Sequence, residues 1–176
     1  EKIKLIGNKI IKQNPNIMLD PNAIAKGYSV DVVCGFLDKK GIKNYLVEIG
    51  GEVRAKGVND EDETWRVGID KPIDDSTLSS RALEDVVYLK NQAIATSGNY
   101  RQFYIKNGIK YSHTIDPKTG FPVFHSLLSA SVFTKDCMTA DAYATAFMVM
   151  GLEKSIKIVK NDPKLEAYFI YSNKKG

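Results

Sequence analysis

Tyr45-Leu46-Val47-Glu48-Ile49-Gly50-Gly51-Glu52-Val53-Arg54-Ala55-Lys56-Gly57-Val58 reads as two strands interrupted by a glycine pair. Residues 45–49 form a compact apolar run, Gly50-Gly51 breaks it, and residues 52–58 resume it. Short β-rich runs separated by turn residues predict strands joined as hairpins. Residues 65–69 follow as another strand, closed by Asp70-Lys71-Pro72. Further on, residues 86–89 and 93–96 are strand candidates. Residues 102–105 and 109–115 flank Asn107-Gly108, the dipeptide suited to a tight type I′ turn. Residues 128–133 alternate like a half-buried strand, and 167–171 supply a last one. Towards the start of the chain, residues 3–6 are strand-like and 17–19 read as a short buried strand. The polar, serine-rich stretch 73–85 reads as a surface loop or irregular crossover.

Three stretches carry a helical signal. Over residues 23–40 apolar side chains recur at helical spacing through Ala25, Tyr28, Val32, Val33, Phe36 and Leu37. Pro21 suits the approach to that helix, and Gly41 supplies a left-handed stop. Asp136 can cap a second helix running to Met150, with Gly151 ending it. A third spans about 153–160. Helices mixed with hairpin-linked strands predict an α+β fold: a mixed, largely antiparallel sheet with helices packed on it.

The chain has 176 residues, the size of one domain, with 43% hydrophobic and 26% charged residues. No internal repeat or low-complexity linker divides it. The net charge of +4 comes from scattered lysines, including Lys174-Lys175. Basic residues never line up with aromatics as nucleic-acid binding requires, so no nucleic-acid partner is expected. No stretch is long enough to span a membrane. The first residue is Glu1 rather than Met, which suggests a processed or trimmed product. Cys34 and Cys137 lack a CxxC partner and read as small buried thiols, not as zinc or redox groups.

Chemistry concentrates in a few polar segments. Asp141 and Thr145 stand at i and i+4 in the alanine-rich run 139–146, which puts a carboxylate and a hydroxyl on one helical face. An all-oxygen set suits Mg²⁺ better than zinc. The alternative is an acid placed in a first helical turn by the helix dipole. His113 precedes the tight loop Asp116-Pro117-Lys118-Thr119-Gly120. It could act as a general base, or Asp116 could form an Asx-turn that holds a histidine with no chemical role. His125 has a weaker case, with no acid close in sequence. Gly50-Gly51 permits close backbone approach to a planar or phosphorylated ligand, or simply makes a turn. Lys26 and Ser29 lie near the start of the first helix, where an anion would be favoured, although Lys26 could equally be a surface residue.

The order of these motifs resembles the ApbE family of FAD:protein FMN transferases, formerly labelled thiamine-biosynthesis lipoproteins. The segments carrying the resemblance are 19–31, with Asp20-Pro21-Asn22-Ala23-Ile24-Ala25-Lys26-Gly27-Tyr28, and 46–52, with Glu48-Ile49-Gly50-Gly51-Glu52. Ala95-Thr96-Ser97-Gly98-Asn99-Tyr100, Tyr111 through Gly120, and Ala140-Asp141 through Ala146 complete the series.

The resemblance implies an enzyme that splits FAD at its pyrophosphate and attaches FMN to a Thr or Ser hydroxyl, releasing AMP. It implies Mg²⁺ as cofactor, held by Asp141, Thr145 and the backbone carbonyl of Ala23. It implies His113 at the chemistry, with Lys26, Ser29, Gly50, Gly51, Thr114 and Ile115 bordering FAD or the acceptor. The acceptor would be a flavoprotein subunit of a membrane electron-transport complex, and the parent a lipid-anchored periplasmic or cell-surface protein. Family members usually carry substantial sequence upstream of this region, including residues that line adenine and flavin. FAD pyrophosphatase activity and non-catalytic FAD binding are the alternatives. Glu52 and Glu48 stand where the family often has Asp and Asn. No copy of the family's acceptor motif is evident, so self-modification is not expected.

Overall fold

A computed structural model describes residues 2–72, 82–99, 103–106, 109–112 and 114–173, with 103–106 and 109–112 described by backbone alone. Its centre is a five-stranded antiparallel sheet in the order β11-β10-β7-β4-β3. The strands are β3 (Tyr45–Ile49), β4 (Glu52–Lys56), β7 (Gln92–Gly98), β10 (Leu127–Thr134) and β11 (Glu166–Tyr171). β3 and β4 form the expected hairpin, with Ile49 opposite Glu52 and both Gly50 and Gly51 at positive φ. The α+β class read from the sequence is the one observed.

Side-chain alternation sorts the two faces of the sheet. From β7, Ala93 and Ala95 face the helices while Ile94 faces the other way; β10 does the same with Ala130 and Val132 against Phe133. Helix α2 (Cys137–Met150) packs Ala140, Ala144, Phe147 and Met148 against this sheet, with α3 (Leu152–Asn161) beside it. On the opposite face the hairpin of β5 (Trp65–Asp70) and β6 (Leu83–Leu89) brings Ile69 and Leu89 onto Val53, Ala55 and Ile94. β8 (Phe103–Lys106) pairs antiparallel with β9 (Ile109–Ser112); Asn107 and Gly108, read as the turn, lie outside the described residues.

Helix α1 (Ala25–Lys39) lies on α2, β3 and β4. Every second residue of β4 points at it, and each carries a charge. Lys26 bonds Glu52 at 2.7 Å, Asp31 bonds Arg54 at 2.6 Å, and Asp38 bonds Lys56 at 2.7 Å. The Lys56–Asp38 rung is exposed on both sides and contributes little by itself. The order of the rungs matters more. Sliding α1 by one rung would set Lys26 beside Arg54 and leave Asp38 without a partner, with only Asp31 meeting an opposite charge at Lys56, so the charges specify register.

Most of the apolar stripe read in α1 lies away from the core, although Leu37 packs against it. Its buried residues are Gly27, Val30 and Cys34, whereas Tyr28, Val32 and Phe36 are each more than half exposed. Helical spacing shows that a stripe exists; it does not show which stripe the sheet takes when small residues permit closer packing. Helix 23–40 also starts later than read, because Ile24 and Ala25 donate to the Pro21 carbonyl in a turn. Residues 17–19 form no strand: Met18 is 92% exposed and no strand pairs with them. Lys12 Nζ instead bonds the Ile17 carbonyl at 2.8 Å. The hairpin of β1 (Ile3–Ile6) and β2 (Lys9–Lys12) includes a second strand the sequence reading missed. In the supposed loop 73–85, Leu83 to Asp85 belong to β6, and 73–81 lie outside the described residues.

Candidate active site

The first three N–H groups of helix α2 all go to side-chain carboxylates. Asp136 is the N-cap and accepts the Thr139 N–H at 2.9 Å, while its carbonyl takes the Ala140 N–H. The two remaining donors go to α1: Asp31 accepts the Cys137 N–H at 3.0 Å on Oδ1 and the Met138 N–H at 2.9 Å on Oδ2. One turn further on, Asp141 sends its Oδ2 back to the Gly27 N–H at 2.9 Å. No acidic residue lies in the first turn of α2. The dipole explanation for Asp141 is therefore removed: it is the fifth residue of the helix, 3% exposed, and turned toward α1.

Gly27 makes that approach possible. A Cβ there would stand 2.4 Å from the Cys137 carbonyl oxygen and 2.8 Å from Asp141 Cβ. Because the Gly27 N–H goes to Asp141, it is withheld from the Ala23 carbonyl one turn back. Among the described residues no N–H donates to that carbonyl.

Beside this crossing lies a cleft of about 810 Å³, within the range of small-molecule sites. Its walls include Lys26, the Gly50-Gly51 turn, residues 66–70 of β5, Thr96 to Gly98 of β7, Thr114, and Thr145 of α2. Thr145 Oγ1 is 3.2 Å from Ser97 Oγ. At Gly51 φ is +99°, a conformation that favours glycine, and its N–H is held by Glu48 Oε1 at 2.9 Å.

Charge at the cleft edge is balanced locally. Lys26 Nζ bonds Glu52 Oε1 and reaches the Gly50 carbonyl at 3.4 Å. Glu52 is 2% exposed, and its Oε2 is buried without a partner. Burial raises its carboxyl above the usual range; Lys26 opposes that shift and nearby Asp141 adds to it. Burial also raises Asp141, against the Gly27 N–H and Lys26. Lys26 thus serves two buried acids rather than standing as an independent anion site.

Of the residues singled out from sequence, Lys26, Gly50, Gly51, Thr114 and Thr145 line the cleft, Asp141 stands at the helix crossing beside it, and Ala23 lies just before α1. Ser29 spends its hydroxyl on the Ala25 carbonyl at 2.8 Å and is exposed. Ile115 is 46% exposed and bridges to Pro122. His113 lies outside the described residues. Asp116 forms the Asx-turn weighed above, accepting the Lys118 N–H at 2.8 Å. His125 bonds the Met148 carbonyl at the far end of α2. Sequence reasoning gave no role to Gly27, Asp31 or Ser97, although all three stand inside quoted motifs. The i, i+4 relation of Gly27 and Asp31 was the available signal.

The chemistry of these donors would suit a hard cation. Among the described residues Asp141 Oδ1 accepts no hydrogen bond, the Thr145 hydroxyl keeps a lone pair, and the Ala23 carbonyl is without a donor. No group of three His, Cys, Asp or Glu among the described residues could hold a metal.

A sequence model described as the ApbE family matches residues 1–169. The chain is 42% identical over 160 residues to an FAD:protein FMN transferase of Vibrio cholerae serotype O1, covering 91% of this chain and 47% of that protein. It is 40% identical over 180 residues to the FAD:protein FMN transferase of Haemophilus influenzae, covering 100% and 51%. The solved flavin transferase ApbE from Vibrio cholerae superposes with a TM-score of 0.87 at 40% identity, covering 99% of this chain and 54% of that one. The chain therefore spans about half the length of the relatives it matches.

Proposed function

Because the chain belongs to the ApbE family, we propose that it acts in the Mg²⁺-dependent transfer of FMN from FAD to a Thr or Ser hydroxyl of a partner flavoprotein. The observation that supports this reading is the α1–α2 crossing beside the cleft, where Asp141 takes the Gly27 N–H that the Ala23 carbonyl would otherwise receive, and Thr145, one turn along α2, lines the cleft. Mg²⁺ bound there would offset charge on the FAD pyrophosphate as it cleaves.

The residues of the chain divide the remaining work. Gly50 and Gly51 let the ligand approach the backbone where any side chain would intrude. Lys26, steadied by Glu52, offers a positioned ammonium at the cleft edge. The acceptor oxygen forms its bond to the FMN phosphorus as the bond to the AMP oxygen breaks, and the hydroxyl proton goes to a base. His113 is assigned that base on its motif alone. The acceptor as a subunit of a membrane electron-transport complex, and a lipid-anchored extracytoplasmic parent, belong to the same proposal. No described helix is long and apolar enough to cross a membrane.

Incubation with FAD, Mg²⁺ and a flavoprotein acceptor tests the reading. In-gel flavin fluorescence of the acceptor together with AMP is expected. FMN and AMP without labelling would make the protein a pyrophosphatase. FAD binding without consumption, by the chain alone and by the chain joined to the remainder its relatives carry, would leave only a binding protein.

A further inference from the structure

We propose that Asp31 is a positioning residue for the Asp141–Thr145 pair, an inference that rests on the metal site proposed above. Asp31 and Gly27 are one turn apart on α1, and Cys137 and Asp141 one turn apart on α2. Asp31 takes the first two N–H groups of α2, and Asp141 takes the Gly27 N–H near the start of α1. Each helix thus caps the other, in two rungs across an antiparallel crossing.

Asp31 is itself fixed. Arg54 Nη1 bonds its Oδ1 at 2.6 Å from the sheet. One carboxylate therefore ties β4, α1 and the first turn of α2 together and sets how far α2 slides along α1. That slide decides whether Asp141 Oδ2 meets Gly27, which in turn decides where Asp141 Oδ1 and Thr145 stand. Asp136 caps the same end of α2 but bonds only within its own segment. It supports the helix without setting its place, and so provides the control.

The test compares Asp31→Asn with Asp136→Asn in the full chain. Asparagine at 31 keeps one acceptor but aims an NH₂ group at a backbone N–H. Mn²⁺ affinity, read by calorimetry or electron paramagnetic resonance, should fall about 10-fold or more in Asp31→Asn, the scale of lost support behind a metal ligand. It should change less than about threefold in Asp136→Asn, which removes the same charge at the same end of α2 but keeps its cap. Hydrogen exchange at the Gly27 amide should quicken only in Asp31→Asn, with or without metal. Equal effects of the two variants, or unchanged Mn²⁺ affinity in folded Asp31→Asn, would overturn the proposal. Should Asp31→Asn fail to fold, Arg54→Lys replaces the fork with a point charge and should weaken Mn²⁺ at least threefold; no change would overturn it. An unsubstituted chain that binds no Mn²⁺ would remove the metal site itself, while Gly27 exchange would still read the clamp.

Discussion

Asp141 reaches across 114 positions of sequence to accept the Gly27 N–H at 2.9 Å, joining the two helices at the point where the proposed metal site begins. Its carboxylate therefore divides its tasks: one oxygen fixes the crossing, and the other is the one assigned to the proposed metal.

Separating those tasks gives the first prediction. Asp141→Asn keeps an acceptor for Gly27 but removes the charge. Mn²⁺ affinity should fall by about 10-fold or more, since affinity for a hard cation follows the charge on its oxygen ligands and Asp141 carries the charge in this set. Urea unfolding should shift by no more than about 1 kcal/mol, because the hydrogen bond survives. Full Mn²⁺ affinity in the variant would take Asp141 out of the site.

Gly27→Ala approaches the same contact from the other side. The new methyl meets backbone atoms of Cys137 that no rotamer change can move. Denaturant unfolding should show a loss of about 2 kcal/mol or more, at the upper end of overpacking costs. An alanine variant as stable as the parent would mean that the helices are not this close.

Glu52 predicts a pH dependence. Its folded-state carboxyl lies above the ordinary value through burial, so the native state holds this proton more tightly than the unfolded chain. The group's contribution to stability is greatest below its unfolded value and is lost as pH rises through its folded value. Glu52→Gln mimics the protonated form. The stability difference, variant minus parent, should increase from about pH 4 toward neutrality. A difference independent of pH, measured by urea unfolding across that range, would show that Lys26 cancels the burial.

For His113 the expectation is kinetic. His113→Ala should slow flavin transfer by about 10²–10⁴-fold, the usual contribution of a general base, while FAD affinity holds. Fluorescence titration with FAD separates the two, and lost affinity would recast the residue as a binding group.

Much of the fold was legible because its signals are local. The Asp136 cap, the Gly41 and Gly151 stops and the Gly50-Gly51 hairpin each depend on a few neighbouring residues, and each formed where read. Asp141 and Thr145 were legible as a helical pair for the same reason. What failed depended on partners remote in sequence. Residues 17–19 had a strand-like composition but no strand to pair with. The buried stripe of α1 was chosen by Gly27, whose importance lies in what it lacks. The roles of Asp31 and Asp141 emerge only when α1 meets α2, and no spacing rule announces a hydrogen bond between residues 106 or 114 positions apart.

That remoteness has a consequence for how the protein assembles. Neither helix can finish its own first turn from nearby sequence, since each borrows an acceptor from the other. A chain with only one of them in place leaves amide groups stranded, so the intermediate is penalised and the two starts form together. The corner proposed to bind the cation should then appear in a single cooperative step with the global fold. Its ligand affinity would serve as a gauge of native population: damage far away in the sheet would lower the number of competent sites without softening those that remain.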